Sequence, residues 1–150
     1  MIRVKSKEIY YLDLSDFKEI IDLAISIQED SYEDIPPFES RYPQKLESVI
    51  EQIQFEYYGQ ELYKGVVNKA VWFFYCLIKN HPFFNGNKRI AVASLYVFLK
   101  WNVSELYIDE DAIKNDLFRM AIKTSESKPE DIEKIKKYLK RKIRSFIIEF

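Results

Sequence analysis

Apolar residues recur along this chain at three- and four-residue steps, the spacing that gives a helix one oily face. Phe17, Ile20, Ile21, Ala24, Ile25 and Ile27 trace such a face on a helix that Ser15 caps and that runs to about Asp30. Three prolines between Ser31 and Pro43 interrupt the pattern and predict a loop or flap. Pro43 then starts a helix through Leu46, Val49, Ile50 and Ile53 that ends near Gly59. A central helix is expected from about Gln60 to Asn80. Ile90 to Trp101 is apolar nearly all round, so this helix should be the buried axis of the fold. Asp109 to Lys123 predicts a further helix with Ile113, Leu117 and Met120 inward. Pro129 opens the last, with Ile132, Ile135, Leu139, Ile143 and Phe146 on one face. Only Met1 to Leu12 resists the helical period, because Ile9-Tyr10-Tyr11-Leu12 has strand character.

Composition narrows the class. The 150 residues suffice for one domain, 1–150, with a real core, and 47% hydrophobic residues argue against disorder. Three glycines, at 59, 65 and 86, are few, which agrees with an α-rich fold. Twenty-three basic residues nearly balance 24 acidic ones, so no global charge points to nucleic acid or membrane. The single cysteine, Cys76, falls in an apolar run and is expected to be buried and inert; the chain cannot form an internal disulfide, which fits a reducing cytoplasm. No signal-peptide pattern opens the chain and no apolar run reaches 18 residues, so neither export nor a membrane span is expected.

The chemistry concentrates in His81-Pro82-Phe83-Phe84-Asn85-Gly86-Asn87-Lys88-Arg89, which holds the only histidine. An imidazole is the side chain whose ordinary pKa lies near neutrality, so His81 can take a proton from an attacking hydroxyl. Pro82 ends the preceding helix. Gly86 reaches backbone angles closed to other residues and lets a ligand come close. Asn87 is expected to cap the next helix with its side-chain oxygen, and the N–H groups of that helix start make an anion site. Lys88 and Arg89 add charge there, and an arginine grips phosphate oxygens as a bidentate fork. Phosphoryl transfer needs these parts: a base, a positioned hydroxyl and donors for phosphate charge. Each residue alone also has an ordinary reading, as a helix-ending turn or loop; nine in this order shift the balance.

This run resembles the signature of the Fic/Doc family, His-x-Phe-x-(Asp/Glu)-(Gly/Ala)-Asn-(Gly/Lys)-Arg, at eight of nine positions. Lys88, where AMP-transferring Fic proteins usually carry Gly, resembles the Doc (death-on-curing) branch. Ile35-Pro36-Pro37-Phe38 and Leu46 to Ile50 resemble the upstream segment near the substrate-binding flap, so the likeness spans roughly residues 15 to 145. The resemblance implies an all-α helical bundle, with a small β element near the N-terminus or flap. It implies an enzyme that transfers a phosphoryl group from a nucleoside triphosphate such as ATP to a protein hydroxyl. In that scheme His81 and Arg89 are catalytic, and Gly86, Asn87, Lys88 and Arg89 bind phosphate. The alternatives are AMP transfer (AMPylation) and a catalytically weak member that acts by binding. Doc-type toxins imply elongation factor Tu as the protein target and a separate antitoxin that folds onto the site.

One position departs from the pattern. Asn85 stands where the family carries the carboxylate that holds Mg²⁺; an amide carbonyl can still ligate the cation but brings no charge. As a plain turn residue Asn85 would be equally at home. Ser15-x-x-x-Glu19 and Ser145-x-x-x-Glu149 have the spacing of the inhibitory Ser/Thr-x-x-x-Glu segment found in the family, but that spacing recurs on any helix. Seven cations crowd the last helix (Lys134, Lys136, Lys137, Lys140, Arg141, Lys142 and Arg144), yet they are not confined to one side, and a solvated face is the better reading. The 11 tyrosines and 11 phenylalanines fall mostly at core spacing. No nucleic-acid partner is therefore expected.

Overall fold

The computed structural model describes residues 9–26, 38–42, 44–109 and 111–147. Its elements are, in order, α1 (Asp16–Ser26), α2 (Lys45–Gln52), a hairpin of β1 (Glu56–Tyr57) and β2 (Gln60–Glu61), α3 (Gly65–Lys79), α4 (Asn87–Asn102), α5 (Phe118–Glu126) and α6 (Ile132–Ser145). A 3₁₀ turn at Phe38–Ser40 precedes α2, a π-helical stretch at Ala112–Leu117 leads into α5, and Pro129–Asp131 makes a 3₁₀ turn into α6. The protein is mainly α-helical, as the apolar period predicts.

The core gathers around α3 and α4. Phe17, Ile20, Ile21 and Ala24 of α1 are buried, as are Ile90 to Leu95, Phe98 and Leu99 of α4. Phe73 of α3 meets Phe17 edge-on, with ring centroids 6.4 Å apart, and Phe98 at 5.8 Å, so one aromatic ties three helices together. Leu117, Met120, Ile135, Leu139, Ile143 and Phe146 are inside, as their spacing predicts. Burial pushes the Cys76 thiol up to about 12, so it stays protonated and inert.

The differences from the sequence reading have local causes. Ile25 is 55% exposed, off the face that buries Phe17, Ile20, Ile21 and Ala24. Ser15 does not cap α1. Asp13 does: its Oδ1 accepts the Asp16 N–H at 3.2 Å, while Asp16 Oδ2 accepts the Asp13 N–H at 2.8 Å. Ser15 Oγ donates to Asp13 at 2.6 Å instead, which is the main reason the Asp13 carboxyl lies below its ordinary pKa. The helix expected to reach Gly59 stops at Gln52, and the one expected from Gln60 starts at Gly65. Between them Tyr58 and Gly59, both at positive φ (52° and 74°), turn the chain tightly, and Tyr57 pairs with Gln60. The small β element thus lies after α2, rather than at the N-terminus or flap. Ile9 to Leu12 is not a strand; the buried Asn102 holds it, accepting the Tyr10 N–H at 2.8 Å and donating to the Tyr10 carbonyl at 2.9 Å. Ile27, Ile35 to Pro37, Pro43 and Glu149 lie outside the described residues.

A buried cation joins the parts around α3. Lys69 is 0% exposed; its Nζ donates to the Ile53 carbonyl at 2.9 Å, lies 3.6 Å from Glu61 Oε1 and stands 5.5 Å from the Tyr11 ring. It therefore secures the end of α2, the hairpin and the N-terminal segment to one helix. Lys69→Ala removes both stem and ammonium and should lower the unfolding free energy by about 2–4 kcal/mol in a urea titration. Lys69→Met keeps the apolar stem and should lose about half as much. Equal losses would show that the ammonium alone carries the cost.

Candidate active site

The site forms where α3 stops and α4 starts. Asn80 closes α3, its N–H donating to the Cys76 carbonyl at 2.9 Å, and the next residue swings into the left-handed region. Glycine normally takes that position after a helix, because a Cβ there is strained. Here His81 takes it, at φ 47°. His81 is exposed, so no packing compensates the strain. A strained, exposed imidazole at a helix end points to use rather than to architecture. Pro82 and Phe83 are buried and anchor the loop, with Phe83 1% exposed.

Gly86 makes the second left-handed turn, at φ 76°, and α4 begins behind it. Asn87 does not cap α4 as the sequence suggests. It is the first residue of the helix, and its side chain reaches back to Phe83: Oδ1 accepts the Phe83 N–H at 3.0 Å and Nδ2 donates to the Phe83 carbonyl at 2.8 Å. These two bonds fix the amide's orientation, so its Nδ2 also faces His81 Nδ1, 3.4 Å away, as a donor. In the neutral ring that contact leaves the proton on Nε2. The Asn87 side chain therefore shapes the loop and faces the His81 ring.

No side chain caps the start of α4, and its first turn holds no acidic residue. Its leading N–H groups and the positive end of its dipole thus face the loop, an arrangement that suits an anion. Lys88, half-buried, adds a charge in that first turn. Arg89 points elsewhere in part: its Nη2 donates to the carbonyls of Ala24 at 3.0 Å and Ile25 at 3.2 Å. Glu19, in the first turn of α1, is exposed, whereas Arg89 meets the last turn.

Asn85 is exposed in the same loop. Its donor set suits a resident metal poorly: it offers one neutral carbonyl, and among the described residues no group of three or more His, Cys, Asp or Glu stands together. The flap borders the site too. The Tyr42 N–H donates to the Pro82 carbonyl at 2.9 Å, and the Tyr42 ring lies 6.5 Å from that of Phe84, which is 67% exposed. Tyr42 gave no sign in the sequence, since a backbone bond leaves no residue pattern.

A model of the Fic/DOC family matches residues 11–99, more than half of the chain and including the whole loop. Comparisons with curated proteins and with solved structures found no match. No helix among the described residues is long and apolar enough to cross a membrane.

The left-handed His81 yields a direct test. His81→Gly should leave the protein as stable as wild type, or more stable by up to about 1 kcal/mol in chemical denaturation, because glycine relieves the strain. A loss above that would show that the imidazole holds the loop together.

Proposed function

From the premise that this chain belongs to the Fic/DOC family, whose members are in general transferases, we propose that it transfers the γ-phosphoryl group of a nucleoside triphosphate to a protein hydroxyl. The observation that carries the reading is the joining of a strained, exposed His81 to an uncapped helix start with Lys88 in its first turn. The triphosphate's oxygens lie against the first N–H groups of α4, from Asn87 to Arg89, and against Lys88. Gly86 lets them approach the backbone. Lysine at 88 fills the space that a glycine would leave for an α-phosphate and adds a point charge, which favours presenting the γ-phosphate.

The attacking hydroxyl gives its proton to His81, its oxygen bonds to the γ-phosphorus, and the bond to the bridging oxygen breaks to release the diphosphate. In the tautomer that Asn87 selects, the lone pair lies on Nδ1. Acceptance at Nε2 therefore needs the ring to exchange its proton, and the long 3.4 Å contact makes release from Asn87 cheap. Arg89 joins the phosphate through Nη2 only after leaving the carbonyls of Ala24 and Ile25. Mg²⁺ would reach the site on the nucleotide's phosphates, where Asn85 offers it a neutral ligand. The exposed Phe84 and Tyr42 border the place where a target segment presents its hydroxyl, in the manner implied by Doc-type toxins for elongation factor Tu, and where a separate antitoxin would cover it. The neutral Asn85 also favours a second reading, a member that binds its partner with little turnover.

Incubation with ATP labelled at the γ or the α position checks the reaction. The γ label should move to a protein in a cell lysate and the α label should not, and His81→Ala should cut the transfer by about 10²–10⁴-fold. Transfer of the α label instead would assign AMP transfer.

Asn85 gives a further expectation. Asn85→Asp adds a charged oxygen ligand at nearly constant volume, so transfer should rise and half-saturate at lower Mg²⁺. Inert wild type and variant that both still capture a partner would favour the binding reading.

A further inference from the structure

α3 carries His81 just beyond its last turn, and its first turn opens onto another surface, about 20 Å away at 1.5 Å per residue. Two adjoining cavities there, of about 450 and 440 Å³, share Lys64, Asn68 and Lys140. Together they form a groove between the start of α3 and α6. Its cations are Lys64, Lys136, Lys137, Lys140 and Arg144, against the carboxylates Glu105 and Glu133. Lys136, Lys140 and Arg144 follow one another at four-residue steps along one face of α6, about 6 Å apart along its axis. None of the five cations makes an ion pair with a described residue. The fold thus collects on one side four of the seven cations that the sequence spreads around the last helix.

Aromatic rings accompany the charge. Tyr63 lines the groove and stacks on Trp72, with centroids 5.3 Å apart and planes 16° from parallel. Trp72 stacks in turn on Tyr75 at 5.3 Å and 14°, under the Lys136 ammonium. The hairpin that runs into the groove through Leu62 exposes Tyr57 and Tyr58, and Tyr58 is 89% exposed at φ 52°, in a turn position that asparagine or glycine normally fills. A bulky ring held there under strain and in water packs against little of its own protein.

We propose that this groove binds single-stranded nucleic acid. The backbone phosphates follow Lys64 and the α6 row of Lys136, Lys140 and Arg144, and a base extends the stack of Tyr63 and Trp72. Cations alone would also suit an acidic peptide. The parallel ring stack ending at the cavity wall favours bases, whose flat faces continue it. With a net charge of −1, the chain attracts a polyanion through this face and not as a whole. The proposal does not rest on the transferase reading.

Fluorescence anisotropy with a labelled dodecauridine and the full chain tests it. Saturable binding is expected at 50 mM salt, weakening about twentyfold to fiftyfold by 200 mM as three to four phosphates shed counterions. Lys136→Glu with Lys140→Glu should weaken binding at least about tenfold, with circular dichroism unchanged. Tyr63→Leu should weaken it about fivefold or more while leaving any affinity for polyglutamate unaltered. Absence of binding at 50 mM salt, or binding that survives the double charge reversal, overturns the proposal. So does displacement of the strand by uridine monophosphate at equal concentration, which would assign the groove to free nucleotides. Polyglutamate bound as tightly as the strand, with Tyr63→Leu without effect on either, would assign it to acidic peptides.

Discussion

The bond pair between Asn87 and the Phe83 backbone is the constraint on which the site depends. α3 and α4 are the most buried helices of the fold, and the chain must reverse between them within seven residues, 80 to 86. Two left-handed residues, His81 and Gly86, make the reversal. Left-handed turns alone would leave a loop free to open, because each costs rather than gains energy. Phe83 plugs the core beneath the loop, and Asn87 satisfies both backbone groups of that residue, which burial would otherwise leave unpaired. One side chain thereby fixes the plug and the start of α4, and turns its Nδ2 toward the ring of His81. The same geometry explains why Asn87 is no cap: a residue already helical cannot fold its side chain over its own first turn, whereas it can reach back four residues.

Arg89 couples this loop to α1. Its Nη2 donates to the carbonyls of Ala24 and Ile25 on α1. A phosphate competing for the same guanidinium forms a charge-assisted, bidentate pair, which is stronger than bonds to neutral carbonyls. In the proposed function, phosphate capture by Arg89 would therefore release the Ala24 and Ile25 carbonyls. The segment that follows α1 leads to the flap, and Tyr42 of the flap bonds to Pro82 of the loop. The two sides of the proposed nucleotide site are in this way attached to α1 and to Tyr42.

Helix existence was legible in the sequence because burial on one face imposes a period that local chemistry cannot hide. Phe17, Ile20, Leu117, Met120, Leu139 and Ile143 all lie inside as their spacing requires. The borders were less legible, since they depend on single backbone angles. Tyr58-Gly59 turns the chain where the apolar period would have continued, and tyrosine is a poor herald of a positive φ. Asp13 rather than Ser15 caps α1 because Asp16 answers it reciprocally, a pairing that the type of neither residue alone reveals. In the candidate site, the run from His81 to Arg89 marked the place, but not the partners of its side chains. The Arg89 bonds to α1 span more than sixty positions and carry no sequence signal.

The physics of α3 explains where its chemistry sits. From Lys69 to Ile78 the helix is buried on nearly every side, with Trp72 alone half-exposed. Its middle can carry no polar work beyond the enclosed Lys69 ammonium, since an unpaired polar group there would cost about 1–3 kcal/mol. The helix meets solvent chiefly at its two ends, where the backbone groups lack helical partners. At its start the free groups are donors, and the chain surrounds them with cations and aromatic rings. At its end they are acceptors, and the chain turns left-handed at once, placing its only imidazole beside the donors of the next helix. A helix end that offers carbonyls repels phosphate, so in the proposed function the phosphate donors near His81 come from α4. The proposed function would account for the tightness of the reversal: a longer connection would set the imidazole and the N–H donors of α4 on separate surfaces.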